Sequence, residues 1–133
     1  MPWEPVSSPE DLRRTVSERD RLVIFVTSGD CHLCKLVEPK IQPFADDLDL
    51  ADVAFRTLDV GLVSFDRDPE LSVVSTLPVF LLYGYGSLRE IVRVVREQRP
   101  GRLLARAIKA TFDGKGRGTE VPGSTGYRGA GGA

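Results

Sequence analysis

The clearest hydrophobic pattern in the sequence is a run of apolar residues with no polar residue between them. Positions 22–26 are all apolar, and four of the five side chains are β-branched or aromatic. A continuous apolar run of this length is typical of a strand buried on both faces, as in the parallel part of a sheet. We therefore predict a central strand over residues 22–27.

Two helices are predicted around this strand. The first begins after Ser8, a favourable N-cap, with Pro9 at the first helical position, and it ends near Glu18. The second is predicted over residues 32–48, with a kink at Pro39 because proline lacks a backbone donor.

The second half of the chain predicts a further strand, a hairpin and a final helix. Strands are expected over residues 53–60, 78–83 and 88–95, and the last two are joined by a glycine-containing turn at residues 84–86. Residues 71–88 carry no charge, but proline and glycine interrupt them, so a hairpin explains them better than a membrane span. The last helix is predicted over residues 100–112, with an apolar face.

The order of these elements predicts an α/β fold, with a central mixed β-sheet and helices on both faces. Residues 61–76 have no clear pattern, and we expect only a short helix around Pro69 there. Residues 1–112 form one domain in this interpretation. Residues 113–133 are expected to be a disordered Gly-rich tail, because eight of the last twenty residues are glycine and large apolar side chains are scarce.

Composition narrows the class of protein. With 133 residues, 41% hydrophobic residues and a net charge of −1, the chain suits one globular domain without a global attraction to nucleic acid or membranes. The first residues lack a basic segment followed by an apolar one, so we expect no signal peptide and a reducing, cytoplasmic location. We expect a monomer.

The candidate chemistry lies in two cysteines, Cys31 and Cys34, which are the only ones in the chain. They follow the predicted central strand and begin the second helix, where backbone N–H groups and the helix dipole favour a thiolate. A Cys-x-x-Cys motif in this place indicates redox chemistry, although two small apolar side chains on a helix remain the alternative. No metal is expected, because a closed zinc site needs four ligands and only His32 could join the cysteines.

Other positions match a known family at the same spacing, namely Lys35, Pro39, Asp59, residues 68–71, Leu77, Pro78 and Gly86. With the Cys-x-x-Cys motif, they make the chain resemble the thioredoxin family over residues 7–112. The resemblance implies a thioredoxin-like fold and thiol–disulfide exchange, in which Cys31 attacks a substrate disulfide and Cys34 resolves the mixed disulfide.

The resemblance also implies partners and further site residues. The partners are protein disulfide substrates and an electron-donating reductase, and no cofactor is needed besides the redox-active Cys31–Cys34 disulfide. Leu77, Pro78 and Val94 would line the substrate groove, and the peptide bond before Pro78 would be cis.

The chain departs from the family pattern at several of these positions. Phe25 replaces a buried aspartate, and Thr57 replaces its lysine partner, so the charge pair is lost as a whole and no lone buried charge remains. Val94 replaces a groove glycine. Asp30 replaces the tryptophan before the motif, and His32 with Leu33 replace Gly-Pro inside it.

Two of these replacements act on the thiol with opposite sign. A protonated His32 favours the thiolate of Cys31, whereas the adjacent carboxylate of Asp30 disfavours it. The alternative for His32 is a solvated surface residue without influence on the thiol.

A basic segment gives a weaker signal. Residues 89–109 contain seven basic and two acidic residues, and Arg102, Arg106 and Lys109 share one face of the last helix. We favour a solvated helix face over a surface for RNA or an acidic partner. Two functions remain: a thioredoxin-type oxidoreductase, which the intact motif favours, or a thioredoxin-like binding module with a slow or vestigial motif, which the departures favour.

Overall fold

The computed structural model describes residues 3–46, 50, 52–61, 77–94 and 99–112. These residues form five strands, three α-helices and a 3₁₀-helix. In chain order they are β1 (Glu4–Pro5), α1 (Pro9–Glu18), β2 (Arg21–Thr27), α2 (His32–Ile41), the 3₁₀-helix (Gln42–Asp46), β3 (Ala54–Asp59), β4 (Val79–Gly84), β5 (Ser87–Arg93) and α3 (Pro100–Phe112).

The strands form one mixed sheet in the order β1-β3-β2-β4-β5. Strands β1, β3 and β2 are parallel, whereas β4 is antiparallel to β2 and β5 is antiparallel to β4. Strand β2 lies in the middle, and its residues 22–26 are fully buried, which confirms the predicted central strand. Thr27 pairs with Asp59, and Val26 pairs with Val79. We call the end of the sheet at which Thr27, Asp59 and Val79 lie the carboxyl edge, because the parallel strands β2 and β3 end there.

Each face of the sheet packs against helices. Val23 and Phe25 of β2 face a core that includes Cys34 of α2 and Leu104 of α3, which we call the α2/α3 core. The alternate residues of β2 face a second core with Leu12 and Val16 of α1. Because successive side chains of a strand point to opposite faces, one apolar run supplies both cores. The predicted helices on both faces are confirmed.

The second helix is shorter than predicted. The α-helix ends at Ile41 and continues as the 3₁₀-helix, instead of running to residue 48. Pro39 lies inside the α-helix, and Pro43 follows four residues later. Pro43 has no N–H group to donate to the carbonyl of Pro39, so the α-helical hydrogen-bond pattern is interrupted at that point.

Most other boundaries agree with the sequence. Helix α1 begins after the N-cap Ser8, whose side chain accepts a hydrogen bond from the Asp11 N–H, and α3 covers residues 100–112 as predicted. The β4–β5 turn is made by Tyr85 and Gly86, both with positive φ (52° and 84°), as a tight hairpin turn requires. Strand β5 ends at Arg93, two residues earlier than predicted.

Three further observations complete the fold. The Leu77–Pro78 peptide bond is cis, as predicted. Strand β1 was not predicted, because a two-residue strand gives no periodicity in the sequence. The predicted helix around Pro69 and the predicted tail at residues 113–133 lie outside the described residues. No helix of the described residues has the length and apolar character needed to cross a membrane.

Candidate active site

Cys31 is the N-cap of α2. Its backbone is extended (φ −91°, ψ 107°), and its Sγ accepts a hydrogen bond from the Cys34 N–H at 3.1 Å. A side chain at this position lies close to the free N–H groups of the first helical turn, and these groups favour a negative charge. The location predicted for Cys31 is therefore confirmed, and a thiolate formed there would have a backbone donor within reach.

Cys31 and Cys34 form a disulfide, with their Cα atoms 5.2 Å apart. This Cα separation is within the usual range for a disulfide bond. The two cysteines differ in exposure: Cys31 is partly exposed, whereas only 1% of Cys34 is exposed. The difference matches the predicted roles of an accessible attacking thiol and a buried resolving thiol.

Ser28 shapes the loop before the motif. Its carbonyl accepts a hydrogen bond from the Cys31 N–H at 3.0 Å, and its Oγ accepts one from the Asp30 N–H at 3.3 Å. Ser28 is not among the predicted site residues. The available signal was the Ser-Gly-Asp sequence, since these residue types form tight turns stabilised by local hydrogen bonds.

The end of β3 lies against this loop. The Val60 N–H donates to the Thr27 carbonyl at 3.0 Å, and Asp59 Oδ1 accepts a hydrogen bond from the Gly61 N–H at 2.8 Å. A Cβ atom added to Gly61 would lie 3.2 Å from Asp59 Oδ1 and 3.4 Å from Ser28 Oγ. Glycine therefore allows the β3 end and the loop that precedes Cys31 to approach closely.

The predicted groove residues Leu77, Pro78 and Val94 are brought together at the carboxyl edge. The Val94 N–H donates to the Pro78 carbonyl at 3.4 Å. Because Val26 pairs with Val79, Pro78 lies one residue beyond that pair, on the side where β2 leads into the cysteine loop. These positions suit a shared groove, although their role in binding substrate stays a prediction.

Phe25 occupies the position at which the thioredoxin family pattern has a buried aspartate. It is fully buried, and its ring centroid lies 5.2 Å from that of Phe80 and 6.4 Å from that of Trp3. It belongs to the same α2/α3 core as Cys34. Among the described residues, the only buried polar or charged side chain is that of Thr15, so no buried carboxylate of this part of the chain is available to Cys34.

The two residues predicted to tune the thiol, His32 and Asp30, are both exposed. Their side chains have no hydrogen bond or ion pair with another described residue. Leu33, the second residue between the cysteines, is partly buried and packs against the α2/α3 core. Leu33 thus has packing contacts in the structure, whereas the effect of His32 and Asp30 on the Cys31 thiol stays a prediction.

Solved structures of thioredoxins resemble this chain. The thioredoxin of Malassezia sympodialis aligns with a TM-score of 0.68 and 21% identity, covering 82% of this chain and 90% of that one. Plasmodium falciparum thioredoxin aligns with a TM-score of 0.67 and 19% identity, covering 80% and 96%. Oxidized mitochondrial thioredoxin 3 from Saccharomyces cerevisiae aligns with a TM-score of 0.66 and 24% identity, covering 80% and 93%.

No protein-family model matches the sequence, and a comparison with curated proteins gives no match. The similarity is therefore one of structure, over nearly the full length of the thioredoxins. The chain has the thioredoxin fold, with a Cys-His-Leu-Cys disulfide at the start of α2.

Proposed function

We propose that this protein is a thiol–disulfide oxidoreductase of thioredoxin type. The observation that carries the proposal is the position of the Cys31–Cys34 disulfide, which spans the N-cap and first turn of α2. Cys31 is partly exposed and near free backbone donors, and Cys34 is buried one turn further on. Such an arrangement suits an attacking thiolate and a protected second thiol.

The reaction begins from the reduced protein. The Cys31 thiolate attacks one sulfur of a substrate disulfide, forms a mixed disulfide and releases the other substrate sulfur as a thiolate. Cys34 then loses its proton and attacks the Cys31 Sγ. The Cys31–Cys34 disulfide forms, the second substrate sulfur leaves as a thiol, and two electrons have passed to the substrate.

The second step is the slow one in this proposal. A buried Cys34 thiol must lose a proton before it attacks, and an apolar environment disfavours its thiolate. Phe25 adds no proton acceptor to the core that holds Cys34. We infer that the proton leaves through solvent near Cys31, and that mixed disulfides with substrates are long-lived.

The same proposal assigns the partners and the location. No cofactor takes part besides the Cys31–Cys34 disulfide, so a dithiol reductase must return two electrons after each turnover. Protein disulfides are the substrates, and Leu77, Pro78 and Val94 form the surface that holds the substrate chain. We place the protein as a monomer in a reducing, cytoplasmic compartment. We assign the activity to residues 1–112, with residues 113–133 as a disordered tail.

Insulin reduction with a dithiol as electron source tests this function. The wild-type protein should accelerate the reduction, Cys31→Ser should abolish the acceleration, and Cys34→Ser should retain single-turnover mixed-disulfide formation. The exposed Leu36→Ala variant, one turn further along α2, serves as a matched control that should keep full activity. A wild-type protein no faster than the free dithiol would contradict the proposal.

A binding module with a slow or vestigial motif is the second candidate. The observation that favours it is the aromatic core around Phe25, which offers Cys34 no carboxylate among the described residues. A binding module should retain its partner when both cysteines are replaced by serine. An oxidoreductase should lose the partner in that double variant, because the complex depends on a covalent bond.

A further inference from the structure

A groove runs between the edge strand β5 and helix α3, and one of its ends lies at the carboxyl edge of the sheet, where Arg93 pairs with Val79. One part has a volume of about 360 Å³, and an adjoining part of about 340 Å³ shares Leu103 and Arg106 with it. The floor is apolar, whereas four exposed arginines lie along the walls: Arg93 of β5, Arg99 directly before α3, and Arg102 and Arg106 of α3.

The groove has two chemically different ends. Gly84, at the end of β4 remote from the carboxyl edge, lies next to Phe112, so α3 runs back along β5 in the opposite direction. The arginines therefore collect beside the carboxyl end of β5 and the N-terminal half of α3. The other end is lined by the small side chains of Ala107, Ala110 and Thr111 and carries no arginine of the groove.

The arginines are not neutralised by the described part of the protein. None of the four makes an ion pair with a carboxylate among the described residues. Arg102 and Arg106 are four positions apart on α3, a spacing at which like charges repel and destabilise a helix. The N-terminal end of α3 adds further positive potential. The basic end thus favours an anionic partner.

Strand β5 provides the second recognition element. It is the last strand of the sheet, seven residues long, and in the described residues only β4 pairs with it. Every second residue of such an edge strand directs its backbone N–H and C=O groups outward, where an extended peptide can pair with them. Backbone pairing next to an apolar floor suits a peptide strand better than a nucleic acid, which would require a uniformly basic surface.

Glu90 affects which end of the groove can bind acidic side chains. It lines the 360 Å³ part of the groove, and partial burial raises its pKa above the ordinary value. An acidic side chain would be repelled there, so acidic residues are accepted only at the arginine end.

We propose that the β5/α3 groove binds an extended segment of a partner protein that is acidic at one end and apolar at the other. The segment adds to the sheet as a sixth strand beside β5. Its acidic residues contact Arg93, Arg99, Arg102 and Arg106, and its apolar residues cover the Ala107 end. The arginine end adjoins Val94 of the proposed substrate surface, but this interaction does not use the disulfide and goes beyond the proposed redox function.

Fluorescence anisotropy with two labelled ten-residue peptides tests the proposal on the full chain. One peptide has Asp-Glu-Asp-Glu followed by alternating Val and Thr, and the other has the reversed sequence, because strand addition can be parallel or antiparallel. One of them should bind with saturation. Arg93→Glu and Arg106→Glu should each weaken that binding by roughly tenfold. Arg19→Glu, an exposed reversal next to α1, should change it less than about twofold.

Backbone methylation separates strand addition from simple charge attraction. Methylating alternate amides of the bound peptide, in the register that faces β5, should abolish binding, since the added strand loses its donors. The proposal is overturned if neither peptide saturates, if both methylated registers bind as well as the parent peptide, or if polyuridine RNA of equal charge binds as tightly. It is also overturned if ultracentrifugation shows that the peptide merely displaces a second copy of the chain from β5.

Discussion

Phe25 of β2 and Thr57 of β3 are register partners in the parallel part of the sheet. Both side chains are on the face of the α2/α3 core, because Phe55, two residues before Thr57, packs there with Phe25. The positions at which the thioredoxin family has a buried aspartate and its lysine partner are thus neighbours here as well. The chain fills them with an aromatic ring and a half-buried hydroxyl group.

Restoring the charge pair should reveal how the two positions are coupled. Phe25→Asp alone should lower the free energy of unfolding by at least about 3 kcal/mol, because it removes a buried ring and leaves an unpaired carboxylate. Adding Thr57→Lys should recover about 1 to 2 kcal/mol of that loss. Urea denaturation of the two single variants and the double variant measures this coupling.

The same double variant should also resolve mixed disulfides faster than the wild-type protein, because the new carboxylate can take the Cys34 proton. Stopped-flow release of substrate thiol measures the rate. Phe25→Leu is the matched control, which keeps an apolar residue and should leave the rate unchanged. Strictly additive stabilities, together with an unchanged rate, would show that the two positions are not coupled.

In the reduced protein, Cys31 should be the thiol that reacts with iodoacetamide. It is the partly exposed N-cap of α2, whereas 1% of Cys34 is exposed, so access and thiolate character both favour Cys31. Mass mapping after brief labelling measures the ratio, and labelling of a Cys34→Ser variant provides the reference rate for Cys31. Preferential modification of Cys34 would reverse the assigned roles.

The reduction potential should be less negative than that of thioredoxin. Thioredoxin lies at about −270 mV, and we expect roughly −260 to −200 mV here, because Leu33 replaces a stiffening proline and His32 stands beside the attacking cysteine. Leu33→Pro should make the potential more negative, and proline is tolerated because residue 33 is in the first turn of α2. Equilibration with glutathione measures both values, with Leu36→Ala as the control. An unchanged potential in Leu33→Pro would contradict this reasoning.

The sequence predicted the elements with strong local signals. The apolar run at residues 22–26, the Ser8-Pro9 helix start and the Gly86 turn specify their structures through burial, capping and positive φ, and all three are found in the structure. The position of Cys31 at the start of α2 was predictable for the same reason.

Other features depend on contacts between distant parts of the chain. Strand β1 forms because its two residues pair with β3, some fifty positions away, and no local pattern marks it. The role of Ser28 depends on the path of the loop to Cys31, and the arginine cluster of the groove depends on the packing of α3 against β5. The end of α2 has a local cause: Pro43 lacks the N–H group that would continue the α-helical hydrogen bonds, whereas Pro39 alone predicts only a kink.

Glu90 should make the protein slightly less stable as pH rises. Burial holds its pKa in the folded protein above the ordinary value of 4.5, so the folded state binds the proton more tightly than the unfolded state. The destabilisation is absent below pH 4.5 and is complete above the folded-state pKa. Glu90→Gln should therefore gain only a few tenths of a kcal/mol near pH 7, because the side chain is partly buried and water still screens much of its charge.

Thermal unfolding of wild type and Glu90→Gln at pH 4 and pH 7 measures this difference. Glu38→Gln, which removes an exposed carboxylate of α2 that has no ion pair with a described residue, is the matched control and should change the stability equally at both pH values. A gain that is equal at pH 4 and pH 7 would show that it does not arise from the ionisation of Glu90.

Removing residues 114–133 should change the free energy of unfolding by less than about 1 kcal/mol. The segment has too few large apolar side chains to offset the entropy cost of ordering it. Urea denaturation of the full and shortened chains measures the change. A loss of several kcal/mol would mean that the segment packs against the domain.

The two outer strands of the sheet are unequal, and this limits how copies of the protein can assemble. Strand β5 has seven residues, whereas β1 has only two and ends in Pro5, which has no N–H group to donate. An open fibre requires each molecule to offer two edges that can each accept a neighbour. In the described residues only one edge meets that requirement, so pairing through strands would close after two molecules. The short strand β1 thereby protects the protein against unlimited polymerisation even when β5 is free.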